Sequence, residues 1–213
     1  MSATRLAAML CSRLCHDLVS PVGALVNGVE ILGEEDDPDM REQVLDFLGQ
    51  SAEQTSARLQ FFRLAFGGGA GFGSEVDPEE GRKALAALLG EGKVRLDWAT
   101  KTGQIDKTLL KLVLNLALIA AESLIRGGTL AVRIDSADSD SPLAIEASGE
   151  RLILSDEMRM ALAGRMPAER IEPRTAPASL AALLAADLGM DIALTDSADA
   201  TVCIGLRRRP AAS

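Results

Sequence analysis

The sequence holds a single histidine, His16, in the run RLCHDLVSPVGAL (13–25), with Asp17 directly after it and Pro21 five positions on. A neutral imidazole carries one ring nitrogen with a free lone pair, which suits it to nucleophilic or proton-accepting work near neutral pH. The run lies in a helical pattern, since Leu6, Leu10, Leu14, Leu18, Val22, Leu25, Val29 and Leu32 recur three or four apart. At about 100° per residue, His16 falls about 200° from both Leu14 and Leu18, nearly opposite that stripe, and is expected to face water. Ser12, Ser20, Gly23 and Asn27 fall on the same face, small side chains that leave room for another protein's surface. The plain alternative is a solvated histidine with no task. Pro21 argues against it: the ring removes a hydrogen bond to the Asp17 carbonyl and crowds that carbonyl, which should bend the helix just beyond the imidazole.

Other chemistries fit these residues less well. CSRLCH (11–16) places two cysteines near the histidine, but with three residues between them where covalent haem attachment uses two. On a helix His16 also points about 100° away from Cys15, an awkward arrangement for a shared metal. Ser148-Gly149 has no G-x-S-x-G context and reads as a loop. Three cysteines, Cys11, Cys15 and Cys203, are an odd count for a disulfide framework and are expected to be small buried apolar residues.

The elements that position His16 follow from the same patterns. The acidic turn EEDDPD (34–39) ends a first helix over 5–32; Asp36 or Asp37 can cap, and Pro38 suits the first turn of a second helix over 39–66. Val44, Leu45, Leu48, Ala52, Leu59, Phe62 and Phe66 are its apolar positions. Two long helices joined by a short turn form an antiparallel hairpin. A hairpin buries only part of its apolar surface on itself, so two protomers are expected to pair into a four-helix bundle, with the rest of the chain as possible cover.

GGGAGFG (67–73) breaks the helical pattern, because each glycine costs a helix about 1 kcal/mol. It divides a helical unit (1–70) from a second domain (75–213). That domain reads as helix 78–90, strand 93–98, an apolar helix 106–126, strands 129–135 and 142–147, helices 156–163 and 178–188, and strands 191–195 and 200–206. The chain is therefore expected to be α+β, its second half an α/β sandwich with a mixed sheet and helices on one face. A composition of 47% apolar and 25% charged residues is that of a globular protein. There is no run of eighteen apolar residues, and Arg13 and Asp17 would interrupt a signal peptide, so a cytoplasmic protein without a membrane span is expected. A net charge of −9 argues against nucleic acid as a partner, and the one basic cluster, Arg207 to Arg209, lies at the tail.

HDLVSP resembles the phosphoacceptor box of two-component histidine kinases, in which a histidine, an acid and a proline five on mark the first helix of a dimerisation and phosphotransfer bundle. In those kinases an ATP-binding α/β sandwich of the Bergerat type follows, and its boxes are present here in altered form. LLKLVLNLALIAAESLI followed by GGTLAVRI (109–134) resembles the N-L-x-x-N-A helix before a Gly-Gly strand: Asn115 matches the first asparagine, and Ile119 stands where the second would ligate magnesium. IEASGERL (145–152) resembles the D-x-G-x-G loop, with Ala147 for the adenine-binding aspartate, Gly149 kept and Arg151 for the second glycine. RTAPASLAALL (174–184) stands where a G-x-G-L-G-L run belongs and has no glycine to bring backbone amides up to phosphates. Isoleucine offers magnesium no oxygen. An intact histidine box with a decayed nucleotide domain resembles the ChpT-type histidine phosphotransferases.

That resemblance implies a phosphorelay intermediate. His16 would take a phosphoryl group from a receiver-domain aspartate of a hybrid histidine kinase and pass it to the receiver of a response regulator. Asp17 would orient the imidazole by accepting a hydrogen bond from its inner nitrogen. Arg13, Ser20 and Asn27 are candidates for receiver docking, and Ser20 also stands where some kinases position a water for phosphatase chemistry. The protein itself is expected to need no cofactor or metal, magnesium being carried by the partner receiver, and to act as a homodimer. An ATP-dependent histidine kinase and a non-catalytic dimeric adaptor that binds response regulators are the competing readings.

Overall fold

The computed structural model describes residues 3–67, 74–135, 142–197 and 200–209. Helix α1 runs Ala3–Glu34 and α2 Pro38–Phe66. They form the expected hairpin, and the turn between them is fixed as the acidic run suggests: Asp37 accepts a hydrogen bond from the Asp39 amide at 2.9 Å, with Pro38 in the first turn. The two helices close against each other at Gly28, where a Cβ would stand 2.6 Å from Leu48 Cδ2. Helix α1 continues through Pro21 as a single element, and the proline is one of its buried residues.

The rest of the chain adds β1 (Glu75–Val76), α3 (Pro78–Leu89), β2 (Val94–Thr100), β3 (Ile105–Asp106), α4 (Lys107–Ser123), β4 (Gly128–Ile134), β5 (Leu143–Ser148), α5 (Asp156–Leu162), a 3-10 turn (Ala168–Arg170), α6 (Ala176–Asp187), β6 (Met190–Ser197) and β7 (Thr201–Arg208). The five-stranded sheet has the order β2-β4-β5-β7-β6, with β2 and β4 parallel and the other pairs antiparallel. Leu130, Val132, Leu143, Ile145, Val202 and Ile204 alternate onto its covered face, where α4 lies. From Leu112 to Ala121 every residue of α4 is buried, so this helix is the middle of the core. The sequence leaves out the β1–β3 ribbon and the 3-10 turn, because two or three residues are too few to show a period. The glycine run expected as a boundary lies, Gly67 excepted, outside the described residues.

Both ends of the hairpin's open side enter the α/β layer. At the end of α2, Phe61, Phe62 and Ala65 belong to the same core cluster as α4 and the sheet. At the start of α1, Leu6 packs with Ile171 and Ala176, and Arg5 Nη2 donates to the Glu169 carbonyl at 2.7 Å. Asn115 stitches α4 to α2: its Nδ2 donates to the Ala65 carbonyl at 2.9 Å and to the Lys111 carbonyl at 2.8 Å.

Three expectations about burial are corrected. Cys11 and Cys15 are exposed and Cys203 is half-buried, all three as free thiols, and burial together with Glu146 pushes the Cys203 thiol up. Val22 and Val29 are exposed rather than covered, and so are Leu45 and Leu59 of α2. For the α1 residues the cause is that the apolar side chains of this helix divide between two faces. Leu6 and Gly28 turn inward, whereas Cys15, Val19, Val22, Val26 and Val29, spaced alternately four and three apart, stand open in a single protomer. α1 is also long and apolar enough, by length and composition alone, to cross a membrane. The charged Arg13 and Asp17 near its middle and its contacts with α2 and α6 make it a helix of the hairpin instead.

Asn115→Ala removes the only side-chain donor to the Ala65 carbonyl among the described bonds. We expect it to lower stability by about 1–3 kcal/mol, read as a shift of the urea midpoint at unchanged slope.

Candidate functional site

His16 projects from the middle of α1 into solvent, its side chain 83% exposed, as the helical spacing requires. Its Nδ1 lies 3.0 Å from Asp17 Oδ1. A carboxylate oxygen accepts, so in a neutral ring this contact favours the tautomer with the proton on Nδ1 and the lone pair on Nε2. The arrangement is local, made by two consecutive residues on one helix, and it is the pairing that the resemblance implies.

Asp17 is held in turn. Its second oxygen, Oδ2, accepts from Arg13 Nε at 2.7 Å, one turn back along α1. Arg13 Nη2 then reaches across to Glu122 Oε1 in the last turn of α4. Arg13 and Asp17 are each only 12% exposed, so the guanidinium sits between two carboxylates in a partly dry place. Burial works against its charge, and Glu122 and Asp17 outweigh that effect, holding the guanidinium above its ordinary value. A chain of four side chains therefore runs from the α/β layer to the imidazole.

These groups border a cleft of about 510 Å³ between α1 and the loop before α6, lined also by Glu172, Pro173 and Arg174. The loop is pinned by Thr175, whose Oγ1 accepts from the Glu172 amide at 3.1 Å. Arg174 is exposed at the cleft. Of the site residues expected from sequence, His16, Asp17 and Arg13 meet in this cleft. Ser20 and Asn27 are exposed further along α1 and do not line it. Glu122, Glu172 and Arg174 have no counterpart in the sequence reading. Glu122 alone carries a local signal, as the one charge closing a run of buried residues.

The altered nucleotide boxes have structural roles here. Ile119 and Ala147 are buried in the core, and Asn115 is committed to the Ala65 and Lys111 carbonyls. Gly127 and Gly128 have φ of 86° and 149°, and a Cβ on Gly128 would run into the Ser148 carbonyl, as one on Gly149 would run into that of Gly127. These glycines let the ends of β4 and β5 close on each other.

A solvent-facing imidazole held through Nδ1 by a carboxylate, backed by an ion-paired helix face, is equipped for group transfer to and from another protein's surface. The relatives of the chain agree with that. The family model for the histidine phosphotransferase C-terminal domain matches residues 78–200. The protein phosphotransferase ChpT of Brucella abortus (strain 2308) is 35% identical over 199 residues, covering 93% of this chain and 94% of that protein. A solved structure of a bacterial phosphotransferase superposes with a TM-score of 0.84 at 32% identity, covering 97% of this chain and 98% of its own. The chain belongs to the histidine phosphotransferase family. It acts as a histidine phosphotransferase in a phosphorelay, among two-component signalling partners, and neither the kinase nor the adaptor reading is favoured.

Asp17→Ala takes away the acceptor that selects the Nδ1–H form. Long-range nitrogen–proton spectra of the His16 ring should change from one tautomer to a mixture of two.

Proposed function

We propose that His16 is the phosphoacceptor. Its Nε2 attacks the phosphorus of an aspartyl phosphate on the receiver of a hybrid histidine kinase; the N–P bond forms while the P–O bond breaks, its electron pair leaving on the receiver's carboxylate. The reverse step delivers the group to the receiver aspartate of a response regulator. The observation that carries this reading is the exposed imidazole whose Nδ1 is bound to Asp17 at 3.0 Å. The ring gains positive charge as Nε2 is phosphorylated, and the Asp17 carboxylate stabilises it.

No nucleotide takes part on this side. Ile119 and Ala147 bring no oxygen ligand or acceptor to the place where the resemblance would put ATP, and the resemblance leaves magnesium to the receiver. With Arg13 committed to Asp17 and Glu122, the docking surface for a receiver is made by Ser20 and Asn27 along α1 and by Arg174 across the cleft. The helical hairpin (1–70) and the α/β unit (75–213) thus serve one cytoplasmic phosphotransfer protein, the second as scaffold and docking surface.

The protein works as a homodimer. Val19, Val22, Val26 and Val29 repeat at the spacing of a helix–helix seam, and Val19 is 69% exposed in the single protomer. Pairing these seams gives a four-helix bundle and covers Cys15 with them. Val26→Asp places a charge in the seam, and sedimentation should then find a folded monomer where the parent chain sediments as a dimer.

Transfer of radiolabel tests the phosphoacceptor. Label should pass from a phosphorylated receiver to the wild-type chain and not to His16→Ala, and ATP alone should label neither. Label on His16→Ala sinks the assignment, label from ATP restores the kinase, and receiver binding without label leaves the adaptor.

A further inference from the structure

The chain of side chains behind His16 starts outside the helical hairpin, at Glu122. This residue is the last charged group of a helix otherwise buried from Leu112 to Ala121, and it stands in the final turn of α4. A carboxylate there faces the negative end of the helix dipole, a placement that disfavours it unless a cation comes to meet it. The cation is Arg13, 109 residues away in sequence and only 12% exposed. An isolated surface pair would contribute little to stability. This one has a different consequence, because Arg13 holds Asp17 with its Nε and Asp17 holds His16 with its other oxygen.

From this geometry we infer that Glu122 is a positioning residue for phosphotransfer: it anchors Arg13 to the α/β layer and so fixes the Asp17 carboxylate against the imidazole. The inference rests on the reading of His16 as phosphoacceptor. Two effects follow from the same contact. The first is geometric: Arg13 is held from both sides, so Asp17 keeps its Oδ1 on Nδ1. The second is electrostatic. Asp17 and Glu122 with Arg13 leave one net negative charge behind the ring; without the Glu122 charge, Arg13 neutralises Asp17 and the developing positive charge on the imidazole loses its counterpart. The other charged groups at the cleft, Glu172 and Arg174, come from the loop before α6 and lie outside this chain of bonds.

The test is phosphoryl transfer from a phosphorylated receiver to the full-length protein, following the maximal rate and the half-saturating receiver concentration separately. Glu122→Gln should lower the maximal rate by about 10- to 100-fold with the half-saturating concentration unchanged, as a misoriented nucleophile would. Glu122→Asp should recover part of that loss, and the His16 ring spectra of Glu122→Gln should show a mixture of tautomers. Glu150→Gln, the same change of charge in the exposed pair with Arg126, should transfer like the parent chain. A wild-type rate in Glu122→Gln overturns the inference, as does a loss confined to receiver affinity or one that leaves the tautomer unaltered. His16→Ala is assayed alongside: if it still accepts label, the phosphoacceptor assignment itself has failed, whereas an unlabelled His16→Ala beside a fully active Glu122→Gln removes only the role of Glu122.

Discussion

Phe61 and Phe62 enter the sandwich core together from the last turns of α2, their rings edge to face with centroids 5.8 Å apart, and Phe66 stacks on Phe62 at 5.1 Å. Burying aromatic rings at the base of the hairpin, with Leu6 doing the same at the start of α1, fixes where both helices leave the α/β layer. Everything at His16 depends on that joint. It sets the height of Arg13 above the end of α4, which decides whether Glu122 can reach it, and it places the Glu172–Arg174 loop across the cleft from the imidazole. The tip of the hairpin has no such support among the described residues, and the apolar seam of α1 stands open in the single protomer.

The α/β layer makes sense in these terms. Its glycines and its asparagine stand where a nucleotide-binding domain would have them, yet each is occupied with the protein's own backbone: Gly127, Gly128 and Gly149 with the close approach of two strand ends, Asn115 with the Ala65 carbonyl. Where the resemblance would put ligand contacts stand Ile119, Ala147 and the glycine-free start of α6, the first two buried in the core. The glycine and asparagine contacts hold the scaffold together from within the chain, and the scaffold presents a charged residue, Glu122, to the helix that carries His16.

What the sequence discloses and what it withholds divide along the range of the interactions. The hairpin, its Asp37 cap and the sheet strands rest on periodicity and capping within a few residues, and they appear where the patterns put them. His16 and Asp17 are neighbours, and their pairing was legible through the resemblance of the HDLVSP box rather than from adjacency, which on a helix turns consecutive side chains about 100° apart. Arg13 was legible only as a residue one turn before the histidine, because its second partner lies 109 positions away and charge pairing over that range leaves no local trace. Arg174 and Glu172 come from a loop whose path is set by tertiary packing. The cysteines mislead for a related reason: their usual burial is an average over folded proteins, and Cys11 and Cys15 sit on a part of α1 that the rest of the described protomer leaves exposed.

The packing of Leu6 on Ile171 and Ala176, and the bond from Arg5 to the Glu169 carbonyl, also govern how the protein is made. The helix that carries His16 leaves the ribosome before the segment that seats it. At about 5–20 residues per second, α1 waits on the order of ten seconds for α6 to emerge. Until then the hairpin can form by local contacts, but the base of α1 has nothing to rest on. A nascent chain that has not yet released α6 therefore carries the histidine without the surface that seats its helix, and this coupling ties assembly of the site to synthesis of α6.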